Sequence, residues 1–103
     1  MKTKALTLLG FAAKAGKLSF GFSATEESLE RKKVRLVVTA NDISPKSKKE
    51  VIFKAQKSGY EVLSLNTTSI FELSNAVGHK CGIISVNDEG FAEAIKEEIL
   101  NDQ

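Results

Sequence analysis

The feature that most constrains the fold is a run of three apolar residues, Leu36, Val37 and Val38, within the short segment 35–40. Neighbouring side chains of a β-strand point to opposite sides, so consecutive apolar residues predict a strand that is buried on both faces. A strand of this kind needs other elements packed above and below it. The sequence therefore predicts a sheet covered on both sides, with this strand near its centre.

Helix boundaries are marked along the rest of the chain. Two Ser-x-x-Glu sequences, beginning at Ser23 and Ser69, have the form of capping boxes and predict helix starts. Ser44 followed by Pro45 predicts another, because proline suits the first turn of a helix. The predicted elements are, in order, a helix over 3–15, an extended segment over 18–20, a helix from about 23 to 32, a strand over 35–40, a helix over 45–58, a strand over 61–65, a short helix ending at 78, a strand over 82–86 and a last helix opened by residue 88.

The order of these elements predicts the architecture. Strands that alternate with helices require crossover connections, which place helices on both faces of a sheet. We expect an α/β fold, a three-layer α/β/α sandwich with a four-stranded mixed sheet, in which the short first strand runs antiparallel at an edge. No repeat or linker interrupts the chain, so residues 1–103 are expected to form one domain.

Charge is distributed unevenly between the two halves of the chain. Residues 1–57 hold 13 Lys and Arg against 5 Asp and Glu, whereas residues 58–103 hold 2 against 8. A basic half suits a polyanionic partner, although a solvated lysine surface would have the same composition. The lysines before the apolar run at 5–15 could also open a secretory signal. Leu6, Leu9 and Ala13 recur at helical spacing, which favours a core-facing helix and a cytoplasmic protein instead.

Residues suited to catalysis or metal binding are few. His79 is the only histidine and Cys81 the only cysteine. They could form a nucleophile–base pair or two metal ligands, but no third ligand or acidic partner lies nearby in the sequence. A surface histidine and a buried thiol are the favoured interpretation. Asp42 follows a strand, where enzymes often place a carboxylate, yet turn formation explains it equally well. We expect neither an enzyme nor a metal site.

Features that suit nucleic acid are stronger. Lys32, Lys33 and Arg35 cluster between a helix and a strand, and further lysines follow Pro45. The helix start near Ser23 should offer free backbone N–H groups to a phosphate or a base. Phe22, if exposed, could stack on an unpaired base. The alternative is that Phe20 and Phe22 pack in the core, which we expect of one of them rather than of both.

Several segments together resemble a known family. They are LSFG at 18–21, LVVTANDISP at 36–45 and LSNAVG at 73–78, followed by a final strand. They resemble the ribosomal proteins L7Ae and L30e, most closely the bacterial YlxQ-type members, over nearly the whole chain. The resemblance implies an α/β/α sandwich that binds structured RNA, usually a kink-turn, without catalytic residues or a cofactor.

The resemblance also implies which residues contact RNA. Family contacts come from the start of the second helix, the loop after the Asp-containing strand and the loop after the short fourth helix. By position these are residues 21–24 with 27, residues 42–45 and residues 77–81. With the basic cluster, the candidate RNA-binding residues are Gly21, Phe22, Ser23, Ala24, Glu27, Lys32, Lys33, Arg35, Asp42, Ile43, Ser44, Val77, Gly78, His79 and Lys80.

Three positions depart from the family pattern. A typical kink-turn binder has Gly-x-Asn-Glu with a lysine three residues later, where this chain has Ser23, Ala24 and Glu27. Ser23 can form part of the usual hydrogen bonds, Ala24 forms none with its side chain, and Glu27 repels phosphate.

The leading hypothesis is a non-catalytic, ribosomal-protein-like or ribosome-associated factor that binds ribosomal or other non-coding RNA at a kink-turn-like element. It involves neither a membrane nor a small-molecule substrate. The alternative is a protein–protein adaptor that keeps the fold but has lost kink-turn recognition, and a small enzyme ranks third.

Overall fold

The structure of the protein is a computed structural model that describes residues 4–101 of the 103-residue chain. Helices and strands follow the predicted order. They are α1 Lys4–Lys14, β1 Leu18–Phe20, α2 Phe22–Glu30, β2 Leu36–Thr39, α3 Pro45–Lys57, β3 Val62–Ser64, α4 Ile70–Val77, β4 Ile83–Val86 and α5 Glu89–Asn101. The predicted first residue of the first helix, Thr3, lies outside the described residues. No helix within residues 4–101 is long and apolar enough to cross a membrane.

The four strands form a mixed sheet in the order β1-β4-β2-β3. β2 pairs in parallel with β3 and antiparallel with β4, and β1 pairs antiparallel with β4 at one edge. All four residues of β2 are buried. The predictions of a central apolar strand and of an antiparallel first strand at an edge are both confirmed.

The direction of β4 follows from the position of α4. Ile70, the first residue of α4, donates its backbone N–H to Asp42 Oδ1 at 2.8 Å, just beyond the end of β2. Within the helix, Ser74 Oγ accepts from the backbone N–H of Cys81 and donates to its carbonyl oxygen, which holds the chain that follows α4 against the helix. Both ends of this short helix therefore stay where β3 ends, so the chain enters β4 from that side and runs back.

Most of the longer connections consequently lie on one side of the sheet, at the ends of the strands rather than along an outer strand. β1, β2 and β3 end there and β4 begins there. We call it the loop edge, and it carries residues 21–24, 40–45, 65–69 and 78–82. The opposite edge carries residues 16–17, 31–35, 58–61 and 87–88.

Helices cover both faces of the sheet. On one face α1, α4 and α5 pack together and bury Leu9, Leu73 and Ile95. On the other face α2 and α3 bury Leu29 and Val51 against the sheet. The two apolar clusters lie on opposite sides of β2, as the consecutive apolar residues of that strand require. The three-layer sandwich is confirmed.

All three predicted helix starts are confirmed to within one residue, but only two of the three predicted caps form. Ser69 forms the full capping box with Glu72, and Ser44 Oγ accepts from Ser47 N at 3.1 Å. Ser23, in contrast, lies inside α2 and caps nothing, because the helix begins directly after Gly21. Gly21 has φ 90° and ψ 169°, a conformation that essentially only glycine adopts, and this allows the chain to enter the helix earlier.

Candidate nucleic-acid interface

The start of α2 presents backbone donors at the loop edge. The Gly21 N–H donates to Ile83 O at 2.7 Å, which joins the helix start to the first residue of β4. Thr25 is the first residue of the helix whose N–H reaches an acceptor one turn back, Gly21 O. The N–H groups of the preceding turn, at residues 22–24, are the unpaired donors of a helix start and suit a phosphate oxygen or a base acceptor.

An aromatic pair links the end of β1 to the loop after α4. The rings of Phe20 and His79 stack with centroids 4.0 Å apart and an interplanar angle of 13°. Phe20 also packs against the core, so it holds the imidazole beside the start of α2. Gly78, which has φ 79°, ends α4 and turns the chain towards His79 and the exposed Lys80. The stack therefore brings two of the predicted contact segments together.

The loop after β2 joins the same region. Ile43 packs against both apolar clusters. A Cβ added to Gly82 would lie 2.7 Å from Ile43 Cγ2 and 3.0 Å from Ile70 Cγ1, so the loop can approach β4 this closely only because residue 82 is glycine. Ser44 lies beside Ile43 as the N-cap of α3. All three contact segments implied by the family resemblance thus converge at the loop edge.

Asp42 holds this arrangement together, which gives a first prediction. Its carboxylate accepts the N–H of Ile70 at the start of α4, where a negative charge is favoured by the helix dipole. Asp42→Ala is expected to lower the free energy of unfolding by about 1.5 kcal/mol, the lower end of the usual range for a hydrogen bond to a charged group, because this bond is exposed. Urea unfolding measures it, with Asp42→Asn as the control that keeps an acceptor. Equal destabilisation by both variants would contradict this role.

The basic cluster predicted to bind RNA lies elsewhere. Arg35 donates its backbone N–H to Val86 O, the last residue of β4, so Lys32, Lys33 and Arg35 lie at the opposite edge. The four residues of β2, at 3.3 Å each, separate the two edges by roughly 13 Å. The structure therefore divides the predicted site into two regions.

Two other predicted contacts are less available than the sequence suggested. Glu27 forms an ion pair with Arg31 one turn along α2, at 3.1 Å. Val77 is only 6% exposed and packs in the core, so its side chain shapes the loop from within.

The expectation for the two phenylalanines is wrong. Phe20 and Phe22 are both half-buried and pack against the apolar clusters on opposite faces of the sheet. Phe22 is therefore a poor stacking surface for a base. Sequence reasoning also did not place Phe20, Ser74 and Gly82 among the residues that shape the site. Phe20 and Ser74 lie in segments that carry the family resemblance, and Gly82 directly follows a predicted contact segment, which is the signal that could have indicated them.

His79 and Cys81 do not form a catalytic pair. The Cys81 thiol is buried and donates to the backbone carbonyl of His79 at 3.3 Å, while the imidazole stacks on Phe20. Burial raises the pKa of this thiol, which disfavours the reactive thiolate. Within residues 4–101, no three His, Cys, Asp or Glu side chains gather as metal ligands would.

Fold and site together define a class of protein. The chain belongs to the ribosomal protein L7Ae/L30e/S12e/Gadd45 family, whose model matches residues 3–96. Among individual proteins, it is similar to the RNA-binding protein YlxQ of Enterococcus faecium, with 36% identity over 98 residues that cover 95% of this chain and 93% of that protein. The family resemblance seen in the sequence is thereby confirmed.

Solved structures show the same fold. A Bacillus halodurans protein of unknown function superimposes with a TM-score of 0.88 at 27% identity, covering 97% of this chain and 99% of that one. The Giardia lamblia 15.5kD RNA binding protein superimposes with a TM-score of 0.72 at 19% identity, covering 94% and 82%. At that identity the second likeness concerns the fold alone.

Proposed function

We propose that the whole chain acts as one non-catalytic RNA-binding domain, which holds a kink-turn-like element of a structured RNA at the loop edge. The observation that carries this proposal is the convergence of three segments. They are the open start of α2, the loop with His79 and Lys80, and the loop with Asp42 and Ser44. Membership of the family and the RNA binding stated for the Enterococcus relative support RNA as the class of ligand.

In this proposal the backbone contributes more to recognition than the side chains do. The N–H groups of residues 22–24 bind an RNA acceptor whatever side chains they carry. Lys80, and Lys46 at the start of α3, attract nearby phosphates. Base edges are read less well, because Ala24 has no hydrogen-bonding side chain. The protein therefore recognises the bent shape of the RNA more than its base pairs.

The proposed RNA ligand also suggests where in the cell the protein acts. A cytoplasmic protein of this kind would bind ribosomal or other non-coding RNA, in association with the ribosome. Neither a membrane nor a small-molecule substrate takes part.

Purification and titration test the proposed function. Protein isolated from cells at low salt is expected to carry nucleic-acid absorbance that high salt removes, since phosphate contacts weaken with salt. The stripped protein should then bind a model kink-turn RNA more tightly than a straight duplex of the same length. Failure to bind either RNA at low salt would favour the protein–protein adaptor, the alternative suggested by Ala24 and by the Glu27–Arg31 pair.

The basic cluster at the opposite edge gives a second prediction. Changing Lys32, Lys33 and Arg35 together to Ala is expected to weaken RNA binding. The slope of log affinity against log salt concentration, called the salt slope below, should become shallower by about one for each phosphate that is no longer bound. Lys32 has φ 60°, and alanine has a Cβ as lysine does, so the substitution adds little backbone strain. Affinity measured across a salt series checks this. An unchanged slope would show that the cluster is only a solvated surface.

A further inference from the structure

α3 has a regular row of exposed side chains that begins near the loop edge and extends towards the opposite edge. The helix begins directly after Ser44 and runs along the sheet, with Val51 and Ala55 buried beneath it. Lys46, Lys49, Phe53 and Lys57 follow the i, i+3, i+7, i+11 spacing of one helix face, opposite the buried one. We call these four residues the α3 stripe. From Lys46 to Lys57 the helix rises through eleven steps of 1.5 Å, so the stripe is about 16 Å long.

The lysines of the α3 stripe are free to bind a ligand. Among residues 4–101, none of the three forms an ion pair, and Glu50 is the one acidic residue on the same face. Lys54 differs, because it lies to one side of the stripe and bonds to Glu26 at 2.7 Å. The stripe therefore presents three positive charges against one negative charge.

An exposed aromatic ring interrupts the lysines. Phe53 is 65% exposed, although an apolar side chain of this size is normally buried. Lys57 Nζ lies 6.0 Å from the centre of its ring, at the outer limit of a cation–π contact. Aromatic rings among lysines suit nucleic acids, since a ring can stack on a base or ribose while the ammonium groups meet phosphates.

The far end of the α3 stripe reaches Lys32, one member of the basic cluster at the opposite edge. Lys57 and Lys32 line the same surface depression, of about 640 Å³, which Glu26 and Glu30 also border. The stripe is thus a basic path between the two regions into which the structure divides the predicted RNA-binding residues.

We propose that the α3 stripe is a second RNA contact, which holds the phosphate backbone of a stem or strand that leaves the loop edge and continues towards Lys32. This inference rests on the proposed function and extends it. RNA is favoured over an acidic protein because the stripe begins at the candidate RNA site and leads to a further basic cluster. The protein should therefore bind an RNA with a long arm more tightly than the isolated kinked element.

Salt titrations with two RNAs test the proposal. The first probe is a minimal kink-turn with short stems. The second is the same kink-turn with one stem lengthened by one helical turn, and a separate RNA of this kind is made for each of the two stems. Lys46→Gln, Lys49→Gln and Lys57→Gln are combined in one variant. Its matched control combines Lys4→Gln, Lys14→Gln and Lys17→Gln, which remove the same charge from α1 and the residues after it.

For the lengthened RNA that reaches the stripe, we expect the stripe variant to lower the salt slope by about three, one for each phosphate that a lysine no longer neutralises. For the minimal RNA, only Lys46 lies close enough to the loop edge to matter, so the slope should fall by about one at most. The control variant should leave both slopes close to those of the wild type. Because all six lysines are at the surface, the thermal unfolding of both variants should match that of the wild type.

Four results would overturn the proposal. Equal slopes for both triple variants would mean that only net charge matters. A wild type that binds the minimal and lengthened RNAs equally well would leave the proposed function intact but remove the stripe from it. If poly-glutamate displaces the lengthened RNA from the stripe as effectively as unlabelled RNA does at the same concentration, the stripe would be a site for an acidic protein instead. A wild type that binds neither RNA would refute both the proposed function and this extension.

Discussion

Gly21→Ala is expected to weaken RNA binding by at least about tenfold, equivalent to about 1.4 kcal/mol. Gly21 has φ 90° and ψ 169°, and an L-residue held in this region costs about 1–3 kcal/mol. The chain can relieve that strain only by moving the helix start or breaking the bond from Gly21 N to Ile83 O. Either movement displaces the N–H groups of residues 22–24, which the proposed site uses. Stability should therefore fall together with affinity.

A matched control separates the site from general strain. Gly16 also has a positive φ, 73°, and a Cβ at this position would meet only open space, but it follows α1 at the opposite edge. Gly16→Ala is expected to cost about 1–2 kcal/mol of stability and to leave RNA affinity unchanged. Chemical unfolding and fluorescence anisotropy with a labelled kink-turn RNA measure both effects. Wild-type affinity in folded Gly21→Ala protein would show that the start of α2 does not contact RNA.

Local sequence signals predicted the elements well, because the physical causes are local. The capping box at Ser69 and the Ser44–Pro45 pair specify helix starts through groups only three residues apart. The apolar run in β2 specifies a buried strand through its own pattern. Where the local signal failed, at Ser23, a neighbouring backbone conformation decided the outcome. Gly21 started the helix before the serine could cap it.

Contacts between distant segments could not be predicted in the same way. Ser19 Oγ bonds to Ser28 Oγ and to Asn87, which also bonds to Ser85, in a polar chain between β1, β4 and α2. Nothing in the sequence pattern marks these four side chains as partners, since each by itself is an ordinary polar residue. The stack of Phe20 on His79 is similar, because it depends on where α4 returns the chain to the sheet.

The candidate site was predicted correctly in one part and incorrectly in another. The family resemblance assigned three loop segments to RNA contact, and the fold brings all three to the loop edge. Clustering along the sequence assigned Lys32, Lys33 and Arg35 to the same site, but they precede β2 rather than follow it. Residues at the two ends of one strand are close in sequence and lie at opposite edges of the sheet.

Restoring the family's residues at the start of α2 is expected to raise affinity for a kink-turn by tenfold or more, about 1.4 kcal/mol. The variant combines Ser23→Asn, Ala24→Glu and Glu27→Lys. The first two would supply side chains that can hydrogen-bond to the sheared base pairs of the kink, each good pair being worth about 1–3 kcal/mol. The third replaces a carboxylate that repels phosphate with an ammonium group that attracts it.

The fold should tolerate all three changes. Ala24 lies in the first turn of α2, where a glutamate is stabilised by the helix dipole by about 0.3–1 kcal/mol. Glu27→Lys removes the pair with Arg31 and places two positive charges one turn apart. Both side chains are more than 60% exposed, so this should cost only about 0.2–0.5 kcal/mol. A gain or loss of affinity can therefore be attributed to the interface rather than to unfolding.

Net charge must be separated from base reading. The triple variant is one charge more positive than the wild type, and Glu27→Ala makes the same change without adding any hydrogen-bonding group. Each protein is titrated with a kink-turn RNA and with a duplex whose sheared pairs are replaced by Watson–Crick pairs. If side chains read the kink, the triple variant gains affinity for the kink-turn alone, whereas Glu27→Ala gains a little for both RNAs. Tight and equal kink-turn binding by wild type and triple variant would instead show that other contacts already compensate for the missing side chains.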